Sequence, residues 1–295
     1  VTLCGVLTTP RDIAFSRGKP LHVSTHADFL KLGARCNFEV VESGGPFTSE
    51  IYRQHLDRWQ PDLVLVLGWY YIVPTVIIES VPFGCMAIHA SLLPKYRGMA
   101  PITWAIINGE KETGVSLFYL EKGVDTGDIV AQKSIAIERA DTVGSVYARV
   151  TDISIDILKE YLPLIARGKA PRIPQDHDRA TIFPRRNPED GLIDWSLPVK
   201  KICDFIRAQT RPYPGAFCYY EKRKLYIWSA DSITPPPGIE GKPGCIVKVD
   251  GKPGVVTGEG VLLLTECQFD TEETSFAPAD QFESGKMLGN ASAQE

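Results

Sequence analysis

Two short stretches carry the residues whose types and spacing could do chemistry. In Cys85-Met86-Ala87-Ile88-His89-Ala90-Ser91-Leu92-Leu93-Pro94-Lys95-Tyr96-Arg97-Gly98, an apolar run delivers one histidine to its end, and Pro94 and Gly98 then force a turn. Further along, Gly123-Val124-Asp125-Thr126-Gly127-Asp128 brackets a carboxylate with glycines at the mouth of another apolar segment. An imidazole near its ordinary titration range gains basicity from a neighbouring carboxylate. A His89–Asp125 pair at strand ends could take a proton from an attacking amine and return it to a leaving group. Each residue alone has a plainer reading, His89 as a satisfied core histidine and Asp125 as a turn residue. Together, at the ends of two apolar segments, they favour the chemical one.

Such a pair needs a frame of strands. Asp62 to Gly68 is a continuous aliphatic run between Pro61 and Gly68, the pattern of a strand buried on both faces of a parallel sheet. Thr2 to Leu7, Phe38 to Val41, the run ending at His89, Gly114 to Leu120 and Asp128 to Ile137 read as further strands. Helices are expected over Ala27 to Ala34, from the Thr48 cap through Ile51, Leu56 and Trp59, over Pro74 to Glu79 and Pro101 to Asn108, and over Thr142 to Gly168. Thr8 to Pro20, with Arg11, Arg17 and Lys19, reads as a polar loop that could meet phosphates or simply be solvated. Strands alternating with helices predict an α/β domain with a Rossmann-like open sheet over 1–168, whose ligands bind beyond the carboxyl ends of the strands.

From Lys169 to Pro198 the chain changes texture: Pro171, Pro174, Pro184 and Pro188 break regular structure, and the stretch reads as a linker. A helix over Val199 to Ala208 follows, then short β-like runs at 215–220, 224–230, 244–249, 253–257 and 260–267. Five short strands divided by Gly, Pro and Lys predict a small C-terminal β-barrel of OB-like type over 199–295.

The totals fit a two-domain globular protein. There are 295 residues, 44% hydrophobic and 23% charged, which excludes disordered and fibrous classes. The net charge of −4 gives no support to a large nucleic-acid-binding face. Seven cysteines (Cys4, Cys36, Cys85, Cys203, Cys218, Cys245, Cys267) are scattered without metal-ligand or redox spacing, so they read as small hydrophobes in a reducing compartment, and no metal site is expected. With no long apolar run and no signal-peptide pattern, the expectation is a soluble, cytoplasmic protein without a membrane partner.

The motifs resemble a known family, the formyltransferases that use 10-formyltetrahydrofolate. His89 through Gly98, Ala100-Pro101-Ile102, Thr113-Gly114-Val115 and Asp125-Thr126-Gly127-Asp128 match its blocks in order and spacing. Towards the C-terminus, Asp190-Gly191-Leu192-Ile193-Asp194-Trp195, Ile206-Arg207-Ala208 and Pro212-Tyr213-Pro214-Gly215-Ala216-Phe217 are similar to its second domain. The resemblance implies transfer of a formyl group from the folate to a primary amine, with His89 moving the proton and Asp125 tuning and orienting it. It also implies that the folate lies along Tyr71, Ile72 and Val73, along Ser91, Leu92, Leu93 and Pro94, and along Glu121, Lys122, Gly123 and Val124. Read as physics, Tyr71 to Val73 would offer backbone donors and acceptors to a pterin-like ring. The plainer reading makes Trp69 to Tyr71 lid or core aromatics.

Two departures from the family pattern stand out. The family carries an asparagine two residues before its histidine, holding the formyl oxygen as charge develops there; this chain has Ala87, whose methyl donates nothing. Removing one such donor costs on the order of 100- to 1000-fold in turnover. This opens a reading of another class, a folate-binding protein with little or no turnover. The family also opens with one more strand and helix, and Val1 to Leu7 aligns with its second strand. The order of the N-terminal sheet is therefore expected to differ, or another segment to take the first strand's place.

Within the family the acceptor is either methionyl-tRNA or an amino sugar carried on a nucleotide. A tRNA acceptor favours a basic second domain. Residues 200–295 hold 11 Lys+Arg against 13 Asp+Glu. The expectation is an amino-sugar nucleotide, with methionyl-tRNA as the alternative and the oligomeric state open.

Overall fold

A computed structural model describes residues 1–13, 21–23, 26–234, 238–278 and 281–289 of the chain. Arg17 and Lys19 lie outside the described residues. The stretch expected as one polar loop contains a short ladder: Asp12–Ile13 pairs antiparallel with Leu21–His22. The chain divides into two compact units. One comprises residues 1–97, 114–134 and 150–182, the other 98–113, 135–149 and 183–295.

The first unit carries the central strand. Cys85–His89 is buried at four of its five positions. It pairs in parallel with Val64–Leu67, Val66 opposite Ala87, and antiparallel with Glu112–Tyr119, His89 opposite Ser116. Ile129–Ala136 completes a four-stranded sheet. The sheet is therefore mixed, not wholly parallel. Val64–Leu67 ends one side of it and leaves Leu67 54% exposed, where the aliphatic run Asp62–Gly68 reads as buried on both faces. Periodicity reports burial, but strand polarity depends on the path of the chain between strands, which composition does not carry.

Gly5–Thr8 pairs in parallel with Glu39–Glu42 as a separate ladder among the described residues. It shares a core with the main sheet: Leu7, Val41 and Val66 all pack on the cluster of Phe47, Tyr52, Val73 and Ile77. The helix Ser49–Trp59 starts at Thr48, whose Oγ1 accepts the Ile51 N–H at 3.3 Å, and stops at Gln60 in the left-handed region. Its Tyr52 faces the core, where burial pushes the phenol up to about 12. The long helix runs Val143–Ile165, and Gly168 turns the chain beyond it with φ +66°. No helix among the described residues is long and apolar enough to cross a membrane.

The second unit is built on a six-stranded antiparallel sheet. In spatial order its strands are Ile246–Val249, Lys252–Val256, Val261–Phe269, Arg223–Ile233, Ala216–Tyr220 and Leu288–Gly289. The five runs read from sequence are all present, and Leu288–Gly289 is a sixth that two residues could not announce. It pairs with Tyr219 and Tyr220, and the neighbouring Met287 bridges Cys245 at the other end of the order, closing the sheet into a barrel. Alternate positions point inward, so Ala216, Cys218, Tyr220, Leu225 and Ile227 share one core with Ile202 and Ile206 of the helix Val199–Arg207. All seven cysteines are free thiols, and burial pushes Cys267 and Cys218 well above the usual thiol range.

Candidate active site

Every residue of the site described below belongs to the first unit. His89 ends its strand 8% exposed, with its ring edge against Phe118 at 6.4 Å. Its Nε2 lies 2.7 Å from the carbonyl oxygen of Tyr96. A carbonyl can only accept, so Nε2 carries the hydrogen and a neutral ring has its lone pair at Nδ1. That nitrogen faces Asp125, with Oδ2 at 3.7 Å. This exceeds hydrogen-bond reach yet suits an ion pair, so Nδ1 is open to a substrate proton and the resulting imidazolium meets a carboxylate. The pair expected from sequence is thus brought together, in an orientation set by a backbone carbonyl seven residues along.

The turn that supplies this carbonyl is held from within. Ser91 is fully buried and its hydroxyl donates to the Lys95 carbonyl at 2.7 Å. Ser116 Oγ donates to the Ser91 carbonyl at 2.6 Å and accepts the Leu93 N–H at 3.1 Å, while Gln132 Nε2 donates to the Leu93 carbonyl at 2.8 Å. Ser116 and Gln132 had no signal of their own in the sequence; they matter because the register places Ser116 opposite His89.

Asp125 adopts φ +53°, a left-handed backbone uncommon for a non-glycine residue. Its loop is fastened by a segment some 50 residues on. Gln175, 6% exposed, donates through Nε2 to the carbonyls of Asp125 at 2.9 Å and Gly127 at 2.7 Å. Its Oε1 accepts from the Nε and Nη2 of Arg97 at 3.2 and 2.6 Å, and Arg97 Nη2 also donates to His177 Nδ1 at 3.0 Å. Burial holds the Arg97 guanidinium below its ordinary value, while the Asp125 charge opposes that shift. Arg172 lies over the Tyr119 ring at 3.7 Å and reaches Asp128 at 3.2 Å and Glu121 at 3.8 Å, gripping the base of the loop. Gly127 permits the close passage, since a Cβ there would stand 1.9 Å from the Tyr119 carbonyl oxygen. Gln175 and Arg172 fall in a proline-rich stretch that reads from sequence as linker, so nothing local marked them.

Ala87 lies on the same strand face as His89, two residues before it. It is packed with Leu93, Phe118 and Ile129. Of the remaining expected site residues, Val73, Ser91 and Leu93 are buried and Tyr71, Leu92 and Pro94 half-buried, whereas Ile72, Glu121, Lys122, Gly123 and Val124 are exposed. Ile72 is 87% exposed and Val124 48%, and with Leu67 they are apolar side chains open to solvent at or beyond strand ends. Trp69 stacks on Phe47 at 5.8 Å and meets Tyr71 edge-on at 5.6 Å, so Trp69 serves the core and Tyr71 stands at its margin.

A family described as formyl transferase matches residues 18–162, and its C-terminal domain matches residues 186–282. The chain is 37% identical to the methionyl-tRNA formyltransferase of Desulforamulus reducens, over 81% of this chain and 76% of that protein. It is 35% identical to that of Acetivibrio thermocellus, over 91% of this chain and 85% of that one. Among solved structures, HypX from Aquifex aeolicus in complex with tetrahydrofolic acid aligns with a TM-score of 0.64 at 18% identity. The match covers 96% of this chain and 50% of that one, a likeness of fold alone. With both domain signatures in order and the His89–Asp125 pair assembled on the first, the chain belongs to the formyltransferase family and is an N-formyltransferase that takes its one-carbon group from 10-formyltetrahydrofolate.

Proposed function

We propose that the acceptor is the amine of methionyl-tRNA. The observation that carries this reading is the 35–38% identity to methionyl-tRNA formyltransferases, which extends through the second domain as well as the first. It displaces the amino-sugar nucleotide favoured by charge counting. A net count over residues 200–295 averages both faces of the barrel, whereas phosphate contacts need only one basic strip. The amino-sugar nucleotide stays as a second reading, supported by that same acidic balance.

In the proposed reaction, the amine nitrogen bonds to the formyl carbon, the bond to the folate nitrogen breaks, and one proton passes from amine to leaving nitrogen. His89 accepts that proton at Nδ1, with Asp125 facing the charge, and then returns it. The exposed apolar side chains Leu67, Ile72 and Val124 fit a flat heterocyclic donor that would cover them, with Tyr71 to Val73, Ser91 to Pro94 and Glu121 to Val124 as its walls. Where the family's asparagine would hold the formyl oxygen, Ala87 offers no donor, so turnover is slow relative to binding. Free thiols throughout the chain suit a reducing cytoplasm.

Two measurements test this. Tetrahydrofolate at about 100 times a micromolar-range Kd should stabilise the native chain by about 2.7 kcal/mol. That is a rise in Tm on the order of 5 °C. Calorimetry showing no binding would overturn the assignment of the folate walls. For the acceptor, methionyl-tRNA and a dTDP-linked amino sugar are compared as substrates of the chain carrying Ala87→Asn, with binding of each to the unaltered chain followed at two salt concentrations. Formyl-methionyl-tRNA should form, and tRNA binding should weaken steeply with salt. Formylation of the amino sugar with none of the tRNA would reverse the choice.

A further inference from the structure

We propose that Gln175 is a positioning residue for the reaction, holding the Asp125 loop so that its carboxylate faces His89; this rests on the formyl-transfer reading of that pair. Gln175 is buried and its hydrogen-bonding capacity is fully engaged. The orientation of its amide is forced by its partners: Arg97 can only donate, and the Asp125 and Gly127 carbonyls can only accept. One side chain therefore ties a buried guanidinium to two carbonyls of the loop that carries the carboxylate.

Asp125 needs such a tie. Its left-handed backbone is one that L residues leave readily unless their surroundings over-determine it. Rotation back to negative φ would swing the carboxylate away from Nδ1, now 3.7 Å from Oδ2. Arg172 grips the base of the loop at Glu121 and Asp128, but as a half-exposed ion pair it is screened by solvent. Ile173 exchanges backbone hydrogen bonds with Ile129 at 2.8 and 2.9 Å, which aligns this segment alongside the loop. Gln175 is a buried contact that reaches the Asp125 backbone itself.

Two substitutions separate positioning from general support. Gln175→Leu removes both ends of the tie. Gln175→Glu keeps an acceptor for Arg97 but removes the two N–H donors and sets a carboxylate against two carbonyl oxygens. Hydrogen exchange of a peptide spanning 121–128 in the full chain, free of ligand, should speed up at least tenfold in both variants, with exchange in the barrel strands unchanged. In the Ala87→Asn background, turnover should fall on the order of 100-fold with the KM for the folate changed less than threefold, as expected when a reacting pair is misplaced. Combined with Asp125→Asn, the Gln175 losses should be far from additive.

Gln175→Glu with unaltered exchange and turnover would overturn the proposal, because the donors would then be dispensable. Faster exchange with unchanged turnover would also overturn it, as would losses that simply add to those of Asp125→Asn, or unfolding of both variants. If the chain carrying Ala87→Asn formylates no amine, the formyl-transfer reading fails, and the exchange data still decide whether Gln175 holds the loop.

Discussion

Ala87→Asn is expected to raise turnover by two orders of magnitude or more, on the scale of about 100- to 1000-fold for one oxyanion donor. The side chain at 87 projects on the same strand face as His89, so a carboxamide there reaches towards the group that the imidazole serves. Folate affinity should stay nearly constant, because the missing interaction forms only as charge develops on the formyl oxygen. The gain has a structural cost. Ala87 is packed with Leu93, Phe118 and Ile129, and a larger polar side chain among them should lower stability by about 1–3 kcal/mol. Steady-state kinetics and thermal melts of the two chains test both halves. A flat turnover would mean that another group already holds the oxygen or that the chain binds folate without using it.

His89→Ala, made in the Ala87→Asn background, should lower turnover by about 100- to 10,000-fold, cancelling most or all of that gain, with folate binding retained. The size follows from geometry. Nε2 is committed to the Tyr96 carbonyl at 2.7 Å, and Nδ1 faces Asp125 at a distance that leaves its lone pair available. No other imidazole in the first unit stands beside Asp125 among the described ion pairs: His177 is engaged with Arg97, and His26 with the Thr9 carbonyl at 2.8 Å. Burst kinetics separate the chemical step from product release. Retention of more than a tenth of the turnover would remove His89 from its role as proton carrier.

Much of this protein was legible residue by residue. His89 stood out because it ends an apolar run where turn residues stop a strand, and Asp125 because glycines bracket it at the mouth of another apolar segment; the structure sets their side chains within ion-pair distance. The barrel strands were legible because the short β-like runs are separated by Gly, Pro and Lys, signals contained within a few residues. Helix starts were legible for the same reason, as at Thr48, where a hydroxyl meets the N–H of Ile51.

What tertiary structure alone decided is everything that depends on a partner distant in the chain. The polarity of Glu112–Tyr119 beside Cys85–His89 is a matter of chain path, and so is the closure of the barrel through Met287 and Cys245. The hydrogen on His89 Nε2 is placed by the Tyr96 carbonyl, and the carbonyl is placed by a turn that Ser116 and Gln132 hold from other strands. Gln175 is the clearest case. Among prolines its sequence neighbourhood reads as a connection, and it acquires a role only when folding sets its amide between Arg97 and the Asp125 loop. Apolar spacing records what is buried, while a buried polar side chain is specified by the groups that must satisfy it, and those are brought to it only by the fold.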